Sequence, residues 1–142
     1  MKIYLAGSFA HRGYVRNLAE KIRFYGHEVY CFCDPQEETY MLSMKIREQP
    51  TSQTFTPATA LLDPNVVLLG LKNWKKLAEI DAVIVALPCG KSAHLEAGWA
   101  KGRGKKVYVY GVLPVGEWDA MYVMVDAVFD EHEFDKMMDA MI

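Results

Sequence analysis

The stretch from Ile80 to Val109 constrains the fold more than any other part of the chain. Ala82 to Leu87 is an unbroken apolar run rich in β-branched residues, the pattern of a strand covered on both faces. Pro88-Cys89-Gly90 breaks the run, and Ser92 reads as the N-cap of a helix. Ala93 to Arg103 then carries apolar residues at helical spacing, with Gly102 and Gly104 at its end. Lys106 to Tyr110 begins the next strand. A strand–turn–helix–strand unit binds ligands where the strand's carboxyl end meets the helix N-terminus. Glu96 falls one turn into that helix, beside the expected pocket.

The remaining chain alternates in the same way. Lys2 to Ala6 is a short apolar strand, and Gly7-Ser8 turns out of it. Between Tyr14 and Tyr25, Val15, Leu18, Ala19 and Ile22 share a helix face opposite Arg16, Glu20, Lys21 and Arg23, and Gly26 stops the helix. His27 to Cys33 reads as a second strand, Glu37 to Glu48 as helical, and Asn65 to Glu79 as a helix leading into the central unit. Gln49 to Pro64 holds three prolines and five Thr or Ser residues, so residues 34–65 are expected to form a variable loop or lid. Beyond the loop at Gly111 to Gly116, Trp118 to Val125 reads as a short helix, Ala127 to Phe129 as a last strand, and Glu131 to Ile142 as an amphipathic closing helix. Alternating strands and helices predict a single α/β domain over residues 1–142. The expected form is a flavodoxin-like (Rossmann-like) three-layer sandwich around a five-stranded, mostly parallel sheet.

Composition excludes several function classes. A net charge of −2 gives no electrostatic case for nucleic acid or an anionic membrane. The densest basic cluster, Lys72, Lys75 and Lys76, fits a solvated helix face, and no apolar run is long enough to span a bilayer. The three cysteines are odd in number, and Cys31 and Cys33 lack zinc-knuckle spacing. They read as reduced, buried thiols, which implies a cytoplasmic protein. Nothing in the pattern calls for a metal or a cofactor.

Gly90-Lys91-Ser92, between a strand and a helix, invites a nucleotide-phosphate-loop reading. That motif needs a further glycine five residues before its Gly-Lys pair, and Val85 stands there. What survives is the tendency of a helix N-terminus to favour an anionic or polar ligand near Gly90 to Ala93. Gly7-Ser8 is a second turn of this kind, which a parallel sheet can bring beside the first. Cys89 with His94 resembles a thiol nucleophile and base, but no third group orients them. Trp99 and the Met-rich C-terminal region fit core or interface filling.

Three segments in combination, Ile3-Tyr4-Leu5-Ala6-Gly7-Ser8, Asp81-Ala82-Val83-Ile84-Val85 and Ser92-Ala93-His94-Leu95-Glu96-Ala97-Gly98-Trp99-Ala100, resemble the nucleoside 2-deoxyribosyltransferase family. That family includes the deoxynucleoside-monophosphate N-hydrolases. The resemblance covers Met1 to about Cys33 and about Leu71 to Ile142. It implies that Glu96 is a nucleophile attacking the anomeric carbon of deoxyribose, that Tyr4 orients it, and that a glycosyl-enzyme forms as in retaining glycosidases. A helix N-terminus would favour the charged carboxylate that such a nucleophile needs.

Two positions depart from the family pattern. Eight residues before Asp81, where the family usually carries an aspartate that helps protonate the leaving base, stands Asn73, an amide that binds a base but delivers no proton. Six residues before Glu96, where the family often has Asp or Ser, stands Gly90. Either the acid comes from Asp63, Asp81 or His94, or the substrate needs little protonation, or activity is weak. The resemblance implies substrate contacts from Gly7, Ser8, Asp81, Gly90 and Ser92. It also implies contacts from Trp118-Asp119-Ala120-Met121, where relatives reach into a neighbouring subunit's site. Asp119 would accept a hydrogen bond from a 5′-hydroxyl and repel a 5′-phosphate. The expectation is a homo-oligomer that cleaves 2′-deoxynucleosides and passes the sugar to another nucleobase. Hydrolysis of nucleoside 5′-monophosphates is the alternative, and a non-catalytic nucleotide-binding module is the reading from another class.

Overall fold

The computed structural model describes all 142 residues. Five strands, β1 (Lys2–Ala6), β2 (Glu28–Cys31), β3 (Ala82–Leu87), β4 (Lys106–Gly111) and β5 (Ala127–Asp130), form one sheet in the order β2-β1-β3-β4-β5. Every pairing is parallel, including β5, where a mostly parallel sheet was expected. The helices are α1 (Arg12–Phe24), α2 (Glu38–Glu48), α3 (Pro57–Ala60), α4 (Pro64–Ala78), α5 (Lys91–Gly102) and α6 (Phe134–Ala140). None is long and apolar enough to cross a membrane.

Alternation along the strands divides the core into two layers. Ile3, Leu5, Ile84 and Tyr110 face α1 and α6, whose Val15, Leu18, Ile22 and Met137 close that layer together with Met141 just past α6. Tyr4, Ala6, Val83, Val85 and Val109 face the other way, under Leu77 of α4 and Ala93, Ala97 and Ala100 of α5. The C-terminal methionines are therefore core. Cys31 and Cys33 are free and buried in the first layer, with their sulfurs 3.3 Å apart.

Local chemistry sets the element ends. Gly26, at φ 91°, takes the left-handed conformation that stops α1, and its N–H bonds the Arg23 carbonyl at 2.8 Å. Asp63 caps α4 by accepting from the N–H groups of Asn65 and Val66 at 2.8 and 3.2 Å. Residues 34–65 contain regular structure. They carry α2, which packs on α4, a 3-10 turn at Pro50–Thr54, and α3, capped reciprocally by Thr56 and Thr59. Proline at the first turn of such elements starts a helix rather than breaking it, because its missing N–H is not needed there.

Candidate active site

In this strand order the chain leaves β1 and β3, which lie side by side, toward opposite faces: α1 covers one and α5 the other. Their carboxyl ends part and leave a crevice. A cavity of about 240 Å³ occupies it, lined by Gly7 and Ser8 after β1 and by Gly90, Ser92 and Ala93 at the start of α5. A Cβ on Gly7 would stand 2.7 Å from Val15 Cγ2, so glycine lets α1 close against the end of β1. Ser8 caps the turn at Phe9–His11.

Tyr4 and Glu96 meet in the cavity wall. Tyr4 is buried on the α5 side of β1, and its hydroxyl donates a hydrogen bond to Glu96 Oε2. Burial pushes the Glu96 carboxyl up from 4.5 to about 7, and the Tyr4 hydrogen bond pulls the other way. The helix dipole, expected to hold this carboxylate charged, is not what sets its proton affinity. Glu96 lies beyond the first turn of α5, where the dipole fades, and desolvation wins.

Asn73, on α4, lines the same cavity, and its Oδ1 accepts from the Tyr30 hydroxyl at 2.9 Å. Tyr30 pairs with Tyr4 in the parallel register, and their ring centroids lie 5.2 Å apart. Ser43 and Arg47 of α2 and Lys91 of α5 complete the polar lining. Sequence reasoning missed Ser43, Arg47 and Tyr30. The one available signal was the helical pattern of 37–48, which did not say which face would meet the sheet.

Other expected contacts lie elsewhere. Asp81 sits at the opposite end of β3, where its carboxylate accepts from the Lys2 N–H at 2.8 Å and ties the strand starts together, so it does not line the cavity. Ser92 does line it but is not the N-cap: α5 begins one residue before it, with Gly90 in the cap position. Of the alternative acids, Asp63 is spent on the α4 cap and Asp81 lies at the far end. His94 is held between the Gly90 carbonyl at 2.8 Å and the Tyr122 hydroxyl at 2.9 Å, outside the lining. The Cys89 sulfur lies 3.9 Å from His94, but burial pushes its thiol up to about 11, which opposes a thiolate nucleophile.

Asp119 and Met121 do not reach this cavity within one chain. Asp119 caps the 3-10 turn Ala120–Met124, its Oδ1 accepting from the Met121 N–H at 2.7 Å. Both residues instead line an apolar hollow of about 350 Å³ against α5 and β4.

No family model matches the sequence, and no curated protein matches it. Solved structures do. A 2-deoxyribosyltransferase from the psychrotolerant bacterium Bacillus psychrosaccharolyticus superposes with a TM-score of 0.64 at 16% identity, over 98% of this chain and 91% of that one. The CMP N-glycosidase BcmB of Clostridium botulinum gives 0.52 at 13% identity, over 99% and 98%. The chain has their fold. At such low identity the correspondence lies in architecture, and the case for this site rests on its own geometry.

Proposed function

We propose that this protein cleaves the N-glycosidic bond of 2′-deoxynucleosides through a covalent glutamyl-deoxyribosyl intermediate and transfers the sugar to another nucleobase. The observation that carries the reading is the Tyr4–Glu96 hydrogen bond in the wall of a cavity at the β1/β3 crevice. An ionised Glu96 attacks C1′ as the C1′–N bond breaks, and its Oε2 contact with Tyr4 fixes the carboxylate rotamer for attack. The base leaves with the bonding electrons, and a second base attacks C1′ to release Glu96. Gly7, Ser8, Gly90 and Ser92 surround the sugar, and Asn73 faces the base. The two proteins that share the fold, a deoxyribosyltransferase and a CMP N-glycosidase by name, support N-glycosidic cleavage as the reaction class.

Assembly completes the site in this reading. Trp118 and Val123 are 79% and 83% exposed on either side of the Asp119 turn. This apolar surface fits a second copy of the chain. The turn's cap uses only Oδ1 of Asp119, so Oδ2 is free to meet a 5′-hydroxyl in the neighbouring cavity.

One observation favours the second reading, hydrolysis of nucleoside 5′-monophosphates. Arg47 and Lys91 line the cavity, and Arg12 and Arg47 both lie over the Phe9 ring, at 4.8 and 3.8 Å. None of these three enters an ion pair, so the mouth carries uncompensated positive charge. Incubation with a panel of deoxynucleosides and their monophosphates, with and without an acceptor base, followed by chromatography, separates the readings. Free base only when an acceptor is present supports transfer. Free base from monophosphates alone supports hydrolysis. No free base from any member leaves a binding module.

A further inference from the structure

Asn73 has an unusual setting for an amide facing a cavity. Its carbonyl oxygen is occupied, because the Tyr30 hydroxyl lies 2.9 Å from Oδ1, while its Nδ2 has no partner within the protein. Tyr30 is held in turn. Thr39 Oγ1 lies 2.9 Å from the same phenol oxygen and 3.0 Å from the Phe32 carbonyl, and Thr39 is buried at the start of α2. An amide carbonyl brings no proton to a hydrogen bond, so the phenol proton goes to Asn73, and the Thr39 hydroxyl shares its proton between Tyr30 and Phe32. The Tyr30 ring packs on Tyr4, the residue that holds the nucleophile.

We infer that Tyr30 is a positioning residue that fixes the Asn73 amide with its NH₂ toward the cavity, and that this makes the site selective for pyrimidine 2′-deoxynucleosides. The inference rests on the proposed N-glycosidase reading. When the C1′–N1 bond breaks and the C1′–O bond to Glu96 forms, the electron pair of the broken bond passes to the base. In a pyrimidine much of that charge settles on O2, the carbonyl oxygen next to N1. A fixed N–H donor stabilises the oxyanion as it forms, with no proton transferred from Asn73, and the released anion takes its proton from water. A purine gains most from protonation of a ring nitrogen, which an amide cannot supply. The remaining carboxyl in the cavity, Glu96, is the nucleophile itself. Tyr30 and Asn73 thus allow departure of a pyrimidine without a general acid.

The test compares wild type, Tyr30→Phe and Asn73→Ala on deoxyuridine, deoxycytidine, thymidine, deoxyadenosine and 4-nitrophenyl 2-deoxyriboside, with the matching 5′-monophosphates in parallel, each with and without an acceptor base. The aryl glycoside needs no hydrogen bond at the leaving group. The expected result is wild-type preference for pyrimidines of tenfold or more. Tyr30→Phe should lose tenfold in kcat on the pyrimidines with little change in KM, Asn73→Ala more, and both should stay within twofold on the aryl substrate. Phenylalanine keeps the ring packing against Tyr4, so a folding defect would depress the aryl substrate as well. Equal losses on both leaving groups, undiminished pyrimidine turnover in either variant, or a wild type that prefers deoxyadenosine would each overturn the inference while leaving the glycosidase reading standing. A wild type that cleaves no substrate overturns both.

Discussion

Tyr4 and Glu96, 92 residues apart in sequence, share a hydrogen bond across the gap between β1 and α5. The phenol holds in place a carboxylate that burial would otherwise keep protonated near neutrality. The first expectation follows from that opposition. Tyr4→Phe should lower kcat about fivefold, the effect of one hydrogen bond worth about 1 kcal/mol. Because the lost bond favoured the charged form, the Glu96 pKa should rise, and the pH–rate profile of the variant should move to higher pH. A fall in rate with an unmoved profile would argue against this arrangement.

Activity itself should depend on pH with a definite sign. A nucleophilic carboxylate works ionised, so kcat/KM should climb as pH rises through about 7 and level off above it. Steady-state assays across pH 5 to 9 on one substrate check this. A profile already flat at pH 5 would mean that Glu96 is charged well below that point.

Glu96→Ala is expected to abolish turnover without unfolding the protein, and Glu96→Gln should do more. Glu96 has its proton affinity raised by folding, from 4.5 to about 7. Below pH 4.5 the side chain is protonated in both folded and unfolded chains and costs nothing. As pH rises toward 7 the folded state loses stability relative to the unfolded one, by roughly 3 kcal/mol once the shift is complete. Glutamine has no charge to bury and keeps an oxygen for Tyr4. The variant should therefore melt above the wild type at pH 8, with the difference closing toward pH 4.5, as thermal unfolding at the two pH values would reveal.

Asn73→Asp places an acid where the amide stands. Cleavage of deoxyadenosine should increase severalfold relative to deoxyuridine, since the purine gains a proton donor. A variant slower on every base would mean that this position does not face the leaving group.

The turn at Asp119 gives a test of assembly. Light scattering should find at least a dimer, and Val123→Asp, which puts charge on the exposed apolar surface, should shift it toward monomer and reduce activity. Asp119→Ser should raise the ratio of monophosphate to nucleoside cleavage by removing a negative charge near the 5′ position. A fully active monomer, or an unchanged ratio, would contradict the shared site.

Much of the fold was legible because its signals are local. The runs at Lys2–Ala6 and Ala82–Leu87, the stripe of Val15, Leu18 and Ile22, and Gly26 each declare an element without reference to distant residues. Glu96 was placed beside the pocket by the strand–turn–helix pattern, whereas Tyr4 was legible only through resemblance, since an aromatic on a buried strand is ordinarily core. What was hidden depends on packing. The faces of α2 that bring Ser43 and Arg47 to the cavity, and the register that sets Tyr30 beside Tyr4, follow from tertiary docking. Asp81 misled because a carboxylate at the start of a strand looks the same in sequence whether it binds a ligand or the neighbouring backbone.

The cavity draws its two walls from separate lengths of chain. Tyr4, Gly7, Gly90 and Glu96 come from the strand ends and α5, while Ser43, Arg47, Leu69 and Asn73 come from α2 and α4. The wall that carries Glu96 is anchored in the sheet, where a change of face or register would dismantle the core. The opposite wall rides on helices that touch the sheet less and are joined by residues 49–63, a segment rich in proline and threonine. Substitutions on the second wall can therefore reshape what the cavity accepts while the Tyr4–Glu96 pair stays where the core holds it.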